Sequence, residues 1–227
     1  MTVELHGHRG CRGLSPENTI EGFTHSLSIG VDALELDVRL TADGVVVVTH
    51  DPALNPDITR DADGEWLAAP GGLIHALPYA ALRAFDVGRI RPGTAYAEAF
   101  PEQLPCDGAR IPTLGEVLRL GPEVKLTIEI KSSPRHSGWT ATPAELAEAV
   151  LLDLDRAAAT GRVVVQSFDW RVAAIFARGP DRPVARLAHL ARNRGFGPRA
   201  VERRRRVRRR PAAGGGRRGR PDLGGGA

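Results

Sequence analysis

Apolar residues follow two alternating spacings along most of the chain, and each spacing predicts one kind of secondary structure. Residues 45–49 are an apolar, β-branched run, the pattern of a strand that is buried on both faces. Residues 143–159 instead place apolar side chains three to four residues apart, which is typical of an amphipathic helix. Strands are predicted at residues 3–8, 33–38, 45–49, 124–131, 163–168 and 184–187. Helices are predicted from an N-cap at Ser15 to Gly30, and at residues 79–85, 113–120, 143–159 and 169–178.

This alternation of strands and helices predicts an α/β protein with a parallel sheet. Two fold classes fit the pattern, a (β/α)8 barrel and an open, doubly wound sheet. The first predicted strand is not followed by a glycine-rich phosphate loop, which argues against a Rossmann or P-loop protein. Residues 51–110 interrupt the alternation with a long irregular stretch that is rich in Pro, Gly and Asp.

Composition excludes a few classes of protein. The chain has 227 residues, of which 42% are hydrophobic, enough for one large domain. No stretch approaches the ~18 consecutive apolar residues of a membrane helix, and the polar N-terminus lacks the apolar segment of a secretory signal. Cys11 and Cys106 do not make a disulfide framework. We therefore expect a cytoplasmic protein without a membrane span; its oligomeric state is not predicted.

The net charge of +4 is the sum of two opposite parts. Residues 1–191 hold 18 Lys and Arg against 25 Asp and Glu, a net charge of −7. Residues 192–227 hold 13 Arg against two acidic residues, a net charge of +11, and their apolar periodicity is lost. Such a composition cannot bury a core. We predict a folded domain over residues 1–191 and a basic, Arg/Gly-rich, disordered tail over residues 192–227.

Two predicted strands carry charged residues at alternate positions. Glu35 and Asp37 share one face of their strand, and Glu129 and Lys131 share a face in the same way. Both faces of a parallel sheet are covered, so adjacent carboxylates are unfavourable unless something neutralises them. Three carboxylates without a cysteine cluster favour one hard divalent cation, Mg²⁺ or Ca²⁺. A simple ion pair between Glu129 and Lys131 is the structural alternative.

Histidines and cations complete the candidate site. His8 ends the first predicted strand and His50 ends the third, and catalytic groups in a barrel come from the carboxyl ends of several strands. Two histidines can share proton transfer near neutral pH. Arg9 and Lys131 supply positive charge for a phosphate-like group. These groups together predict phosphoryl chemistry.

A series of short motifs resembles that of the glycerophosphodiester phosphodiesterases in order and in spacing. The series covers residues 3 to about 178 and comprises His8-Arg9-Gly10, Pro16-Glu17-Asn18-Thr19, Glu35-Leu36-Asp37-Val38, Thr41-Ala42-Asp43-Gly44, His50-Asp51, Ile111-Pro112-Thr113-Leu114, Glu129-Ile130-Lys131 and Gln166-Ser167-Phe168. The resemblance implies a TIM barrel with a small insertion after the third strand, for which residues 51–110 are the candidate. It also implies hydrolysis of small-molecule glycerophosphodiesters to glycerol 3-phosphate and an alcohol, and we favour attack by the neighbouring glycerol hydroxyl through a cyclic phosphate.

The same resemblance assigns roles to individual residues. One divalent metal ion would be ligated by Glu35, Asp37 and Glu129. The acid–base pair would be His8 and His50, for which we favour His8 as the base and His50 as the acid. The phosphate would be held by Arg9 and Lys131. Residues 16–19 are expected chiefly to start a helix and to close the floor of the site.

The basic tail allows two interpretations. Its charge could bind nucleic acid or anionic lipid, but it has no aromatic residue after Phe196 to stack on bases, so specific nucleic-acid binding is not expected. Arg, Gly, Pro and Ala are also the residues of GC-rich codons, which a shifted reading frame would produce. We favour the second interpretation. It predicts a barrel truncated after about the sixth strand, and therefore an impaired enzyme.

Overall fold

The computed structural model describes residues 3–177 and 184–187, in which a six-stranded sheet carries the fold. The strands are β1 (His6–His8), β2 (Ala33–Leu40), β3 (Val46–Val48), β4 (Lys125–Ile130), β5 (Val163–Ser167) and β6 (Val184–Leu187). The α-helices are α1 (Ile20–Ile29), α2 (Tyr79–Leu82), α3 (Ala95–Ala99), α4 (Leu114–Leu118), α5 (Pro143–Arg156) and α6 (Trp170–Phe176). Short 3₁₀ helices lie at Ile74–Ala76, Ser137–Trp139 and Thr160–Arg162.

The order of the strands decides between the two predicted fold classes. The strands β1, β2, β4, β5 and β6 are parallel and lie side by side in chain order. A doubly wound sheet reverses its strand order at a switch point, whereas a barrel adds its strands in sequence. The sheet is therefore of the α/β-barrel type, which confirms the prediction of a barrel.

The third predicted strand is not one of the parallel strands. β3 runs antiparallel to the end of β2, with Val48 opposite Val38. The interpretation of residues 45–49 as a parallel barrel strand is therefore wrong. The run is buried as predicted, but an apolar run reports only burial and does not encode the direction of the partner strand. Val47 faces a second, smaller apolar cluster that includes Leu54 and Ile74 of the stretch 51–110.

Helix starts were predicted with mixed success. Thr113 caps α4 through a reciprocal capping box with Glu116, as its position in the sequence indicates. The first helix starts four residues later than expected, because Thr19 caps α1 by accepting a hydrogen bond from the Gly22 N–H. Gly30 ends this helix in the left-handed conformation, at φ +87°. Ser15 instead lies 2.6 Å from His25 Nδ1.

The alternation of side chains along β2 separates the core from the site. Its leucines and Val38 pack into the main apolar cluster, together with side chains of α1, α4 and α5. The opposite face presents Glu35, Asp37 and Arg39, which are all buried. β4 repeats this division, so its apolar side chains face the helices and Glu129 faces the same side as Asp37.

Two further expectations concern the rest of the chain. Residues 51–110 contain only short helices and isolated β-bridges outside the named strands, so the stretch is irregular as predicted, while its assignment as an insertion stays a prediction. The predicted tail over residues 192–227, and with it the expected truncation, lies outside the described residues. Within the described residues, no helix combines the length and the apolar character needed to cross a membrane.

Candidate active site

The register of the parallel strands brings the acidic residues together. Glu35 and Asp37 share one face of β2, and Asp37 lies directly opposite Glu129 of β4. All three side chains are buried, and one carboxylate oxygen from each lies within 4.8 Å of the others. The three predicted ligands therefore form one buried carboxylate cluster.

Two cations partly neutralise this cluster. Lys131 Nζ lies 3.0 Å from Asp37 Oδ1 and 2.5 Å from Glu129 Oε1. On the other side, Arg9 Nε lies 3.2 Å from Asp37 Oδ2 without the angle of a hydrogen bond, while its Nη1 donates to Glu17 at 2.9 Å. Asp37 thus contacts both cations, Glu129 contacts Lys131, and Glu35 contacts neither guanidinium nor ammonium within the described residues.

Burial and charge act differently on the two acids of β2. Burial raises the pKa of Asp37, but the charges of Lys131 and Arg9 outweigh it and hold the pKa below its usual value. Burial and the negative charge of Asp37 raise the pKa of Glu35 to about 7, although the Arg9 main-chain N–H donates to Glu35 at 2.9 Å. The cluster is therefore short of positive charge at Glu35. Its all-oxygen donors and this deficit fit a hard divalent cation.

His8 ends β1 beside the carboxylate cluster. It lies opposite Glu35 across the strand pair, and its Nε2 is 3.7 Å from Glu35 Oε2. Partial burial, followed by the charges of Arg12 and Arg9, lowers the pKa of His8 to about 4. About half of the side chain remains accessible to solvent, at 56% exposure. His8 is therefore a neutral, accessible imidazole that can accept a proton.

His50 follows β3 and is oriented by its own chain neighbour. Its Nδ1 lies 2.7 Å from Asp51 Oδ1, and Asn55 donates to the other Asp51 oxygen at 2.7 Å. A carboxylate at Nδ1 fixes the ring orientation and leaves Nε2 available for chemistry. His50 is near enough for its charge to act on the pKa of Asp37. The antiparallel hairpin thus brings His50 to the site from a different direction than a parallel strand would.

Arg39 is a member of the site that the sequence interpretation missed. It is the next residue on the face of β2 that carries Glu35 and Asp37, and it is 8% exposed. Its Nε and Nη2 donate to the His50 carbonyl at 2.9 and 2.6 Å, and its Nη1 donates to the Lys131 carbonyl at 3.4 Å. One guanidinium therefore ties together the main chain of two candidate site residues. The alternation that places Glu35 and Asp37 on one face of β2 also places Arg39 there, so the sequence could have predicted Arg39 as a site residue.

The loop before α1 also contributes more than a helix start. Asn18 Nδ2 donates to Asp37 Oδ2 at 3.0 Å, and Glu17 accepts from both Arg9 and Tyr96. Arg9 and Asn18 both have positive φ, at +53° and +54°, a conformation that non-glycine residues rarely adopt. Strained backbone of this kind concentrates at functional sites. The expectation that residues 16–19 chiefly start a helix is thus met only by Thr19, whereas Asn18 orients a carboxylate of the cluster.

The structure brings the seven predicted site residues into one region, at the carboxyl ends of β1 and β4, along β2 and after β3. A cavity of about 260 Å³ opens beside two of them, Glu129 and Lys131, and its lining also includes Arg39 and Phe168. We call it the catalytic cavity. A barrel-type sheet with a buried carboxylate cluster, cations and two histidines at strand ends places this protein in a class, the α/β barrels that carry a polar site at the carboxyl ends of their strands.

Comparison with known proteins identifies the family. The model of the glycerophosphoryl diester phosphodiesterase family matches residues 8–194. A glycerophosphodiester phosphodiesterase of Bacillus subtilis is 33% identical over 165 residues, which cover 71% of this chain and 50% of the relative. One from Caldanaerobacter subterraneus is 35% identical over 134 residues, covering 58% of this chain and 46% of the relative. The chain therefore belongs to the glycerophosphoryl diester phosphodiesterase family.

A solved structure agrees with this assignment. A protein from Silicibacter pomeroyi, named as a candidate glycerophosphoryl diester phosphodiesterase, is 42% identical and superposes with a TM-score of 0.77. The match covers 84% of this chain and 66% of that protein. The chain thus spans about half the length of these curated relatives and just under two thirds of this solved structure.

Proposed function

We propose that this chain carries the active site of a metal-dependent phosphodiesterase, which hydrolyses glycerophosphodiesters to glycerol 3-phosphate and an alcohol. The observation that carries the proposal is the buried carboxylate cluster of Glu35, Asp37 and Glu129, with its oxygens within 4.8 Å of one another. Its position beside two histidines at strand ends, in a chain of this family, supports the reaction.

The proposed metal ligands are Glu35, Asp37 and Glu129, and the proposed ion is Mg²⁺ or Ca²⁺, because both prefer oxygen donors. When bound, such an ion supplies positive charge that stabilises the charge developing on a phosphoryl group. Lys131 adds a second positive charge at the wall of the catalytic cavity, and we propose that it binds the phosphate. Arg9 is proposed to assist it while holding Asp37 and Glu17 in place.

The two histidines are proposed to transfer protons at two different oxygens, that of the attacking hydroxyl and that of the leaving alcohol. Asp51 orients the His50 ring through Nδ1, and the Nε2 of His50 is proposed to donate a proton to the leaving alcohol oxygen. His8 lies across the cluster on β1, and its Nε2 is proposed to accept the proton of the attacking glycerol hydroxyl. Water then opens the resulting cyclic phosphate to glycerol 3-phosphate, with the two proton transfers reversed. Arg39 holds the main chain of His50 and Lys131 in place through its hydrogen bonds to their carbonyls.

The test uses the purified whole chain and the ethyl ester of glycerol 3-phosphate, whose alcohol is uncharged. Released glycerol 3-phosphate is measured with added Mg²⁺ or Ca²⁺, and again after exhaustive chelation. We expect release that requires the metal, and its loss in Asp37→Asn. The matched control is Asp155→Asn, which neutralises an exposed carboxylate on α5 and should retain full activity. A folded, metal-loaded chain that releases no product would refute the reaction, whereas full activity after chelation would refute the metal requirement alone.

A further inference from the structure

An apolar groove lies beside the catalytic cavity. Its volume is about 510 Å³, within the range of about 300–1,000 Å³ that is usual for small-molecule pockets. Its apolar walls include Pro52, Leu54, Pro56, Pro70, Leu73 and Trp139. The first five belong to the stretch 51–110, and Trp139 belongs to the segment between β4 and α5. We call this feature the apolar groove.

The apolar groove and the catalytic cavity share two walls. Pro52 and Trp139 line both of them. Pro52 also follows Asp51, the residue that braces His50, and Asp51 lines the apolar groove itself. The apolar groove therefore begins beside His50, the proposed proton donor. Because His50 is proposed to protonate the leaving alcohol, this is the side of the site at which the alcohol lies.

The wall of the apolar groove that Trp139 forms is exposed to solvent. Trp139 is 50% exposed, unusual for so large an apolar side chain, and it stacks on His136 with the ring centroids 4.4 Å apart. Its segment is tied to the stretch 51–110, because the His75 ring nitrogen Nε2 lies 2.8 Å from the Gly138 carbonyl oxygen. The indole is exposed and is held in place between the two cavities, so it can contact an apolar ligand.

The groove offers no free charge to a polar head group. Among its described lining residues the only ionisable one is Asp51, and both oxygens of that carboxylate are already engaged, by His50 and by Asn55. A cationic or anionic alcohol would therefore be desolvated there without a partner. An alkyl chain would instead exchange water for apolar walls.

We propose that the apolar groove binds the alcohol moiety of the substrate, and that this moiety is an alkyl chain. The preferred substrates are then glycerophosphate esters of long-chain alcohols, with the phosphate in the catalytic cavity and the chain between Pro52 and Trp139. This inference rests on the proposed function, since it assigns the leaving group of that reaction.

The test compares the ethyl and the octyl ester of glycerol 3-phosphate, both below the micellar concentration of the octyl ester. The measured quantity is the ratio of kcat/KM for the octyl ester to that for the ethyl ester. We expect a ratio of about ten or more in the parent, because each buried methylene adds favourable transfer free energy. Trp139→Ser and Leu73→Ser should each lower the ratio about fivefold or more, and Trp139→Phe should restore most of it.

The matched control is Trp170→Ser. Trp170 is also a largely exposed tryptophan, at 59%, but it is not among the residues that line either cavity, so its loss should leave the ratio unchanged. Circular dichroism of each variant checks that it is folded. A parent ratio near one, or a ratio unaffected by Trp139→Ser in a folded variant, would overturn the inference while leaving the proposed function intact.

Failure of the proposed function gives a different result. If neither ester is hydrolysed with Mg²⁺ or Ca²⁺ present, that function is refuted, and calorimetric titration of the parent with each ester then decides the inference. Tighter binding of the octyl ester, weakened about fivefold or more by Trp139→Ser, would still support the groove as an alkyl site. Equal binding of the two esters would overturn it.

Discussion

Replacing Glu35 with glutamine should stabilise the metal-free protein and abolish its stabilisation by metal. Glu35 is 7% exposed and belongs to a group of three carboxylates whose oxygens lie within 4.8 Å of one another. Glutamine keeps the size of the side chain and an oxygen that can accept from the Arg9 main-chain N–H. It removes one negative charge from a buried cluster, and with it one ligand for a cation.

The size of the first effect follows from the pKa of Glu35. Burial and the charge of Asp37 raise this pKa from 4.5 to about 7. Between these two values the folded protein binds more protons than the unfolded chain, so the stability of the parent falls as pH rises through that window. At ~1.36 kcal/mol per pKa unit, the ionised carboxylate costs about 3 kcal/mol above pH 7. Glutamine avoids this cost, so the variant should gain up to about 3 kcal/mol at alkaline pH and little below the unfolded-state pKa.

The assay is urea unfolding of the full-length chain at an acidic and an alkaline pH, first with chelator and then with Mg²⁺ or Ca²⁺. With chelator, the advantage of Glu35→Gln over the parent should grow from the acidic to the alkaline measurement. A metal at a hundred times its dissociation constant should add about 2.7 kcal/mol to the parent and much less to the variant. Glu102→Gln, at an exposed position, is the matched control and should behave as the parent does in both conditions.

Two results would contradict this reasoning. A Glu35→Gln variant that is less stable than the parent by more than about 1 kcal/mol at alkaline pH with chelator would show that the carboxylate is stabilised in the metal-free site. An equal gain from metal in parent and variant would show that Glu35 is not a ligand. The first result challenges the electrostatics of the cluster, and the second challenges the assignment of the metal site.

Four further substitutions test the remaining roles. His8→Ala and His50→Ala should each lower kcat about 10²–10⁴-fold while keeping the stabilisation by metal, and a rate within a few-fold of the parent in either variant would count against its role in proton transfer. Asn18→Leu should weaken metal binding, measured by calorimetry, because Asp37 loses the amide that orients it; unchanged affinity would reduce Asn18 to a loop residue. Arg39→Lys should lower kcat by up to about 10²-fold without weakening the metal, since the His50 carbonyl loses its two-point contact, and kcat equal to that of the parent would exclude a positioning role.

The division of each strand into a core face and a site face was predictable from the sequence. Glu35 and Asp37 alternate with leucines, and a period of two assigns them to one side of β2 whatever surrounds the strand. The neighbouring strand repeats the pattern around Glu129, and the register places it opposite Asp37. Local periodicity therefore sufficed to predict a carboxylate cluster, because parallel strands bring equivalent positions together.

The direction of β3 and the start of α1 depend on contacts that local sequence does not contain. The valines of β3 would be buried in either orientation, and it is the short turn at residues 41–44, where the Gly44 N–H donates to the Thr41 carbonyl, that returns the chain antiparallel to β2. Ser is a favourable N-cap residue, but Ser15 lies in a loop whose ends, Arg9 and Asn18, both contact Asp37. Arg9 accepts from the Asn18 N–H through its carbonyl, so the helix cannot begin before Thr19.

The loop that holds Arg9 and Asn18 shows why such features escape a sequence pattern. Both residues have left-handed backbone conformations, which are unfavourable on their own, and both contact Asp37. The loop is held against α1 by close packing: a Cβ at Gly10, where φ is +79°, would lie 2.9 Å from the Gly22 carbonyl carbon. The contacts of Asp37 with the Asn18 amide and with Arg9 thus depend on a strained loop. That loop in turn depends on Gly10 and on its close packing against α1. Each requirement is tertiary, so the charged residues could be located from the sequence while the groups that hold them could not.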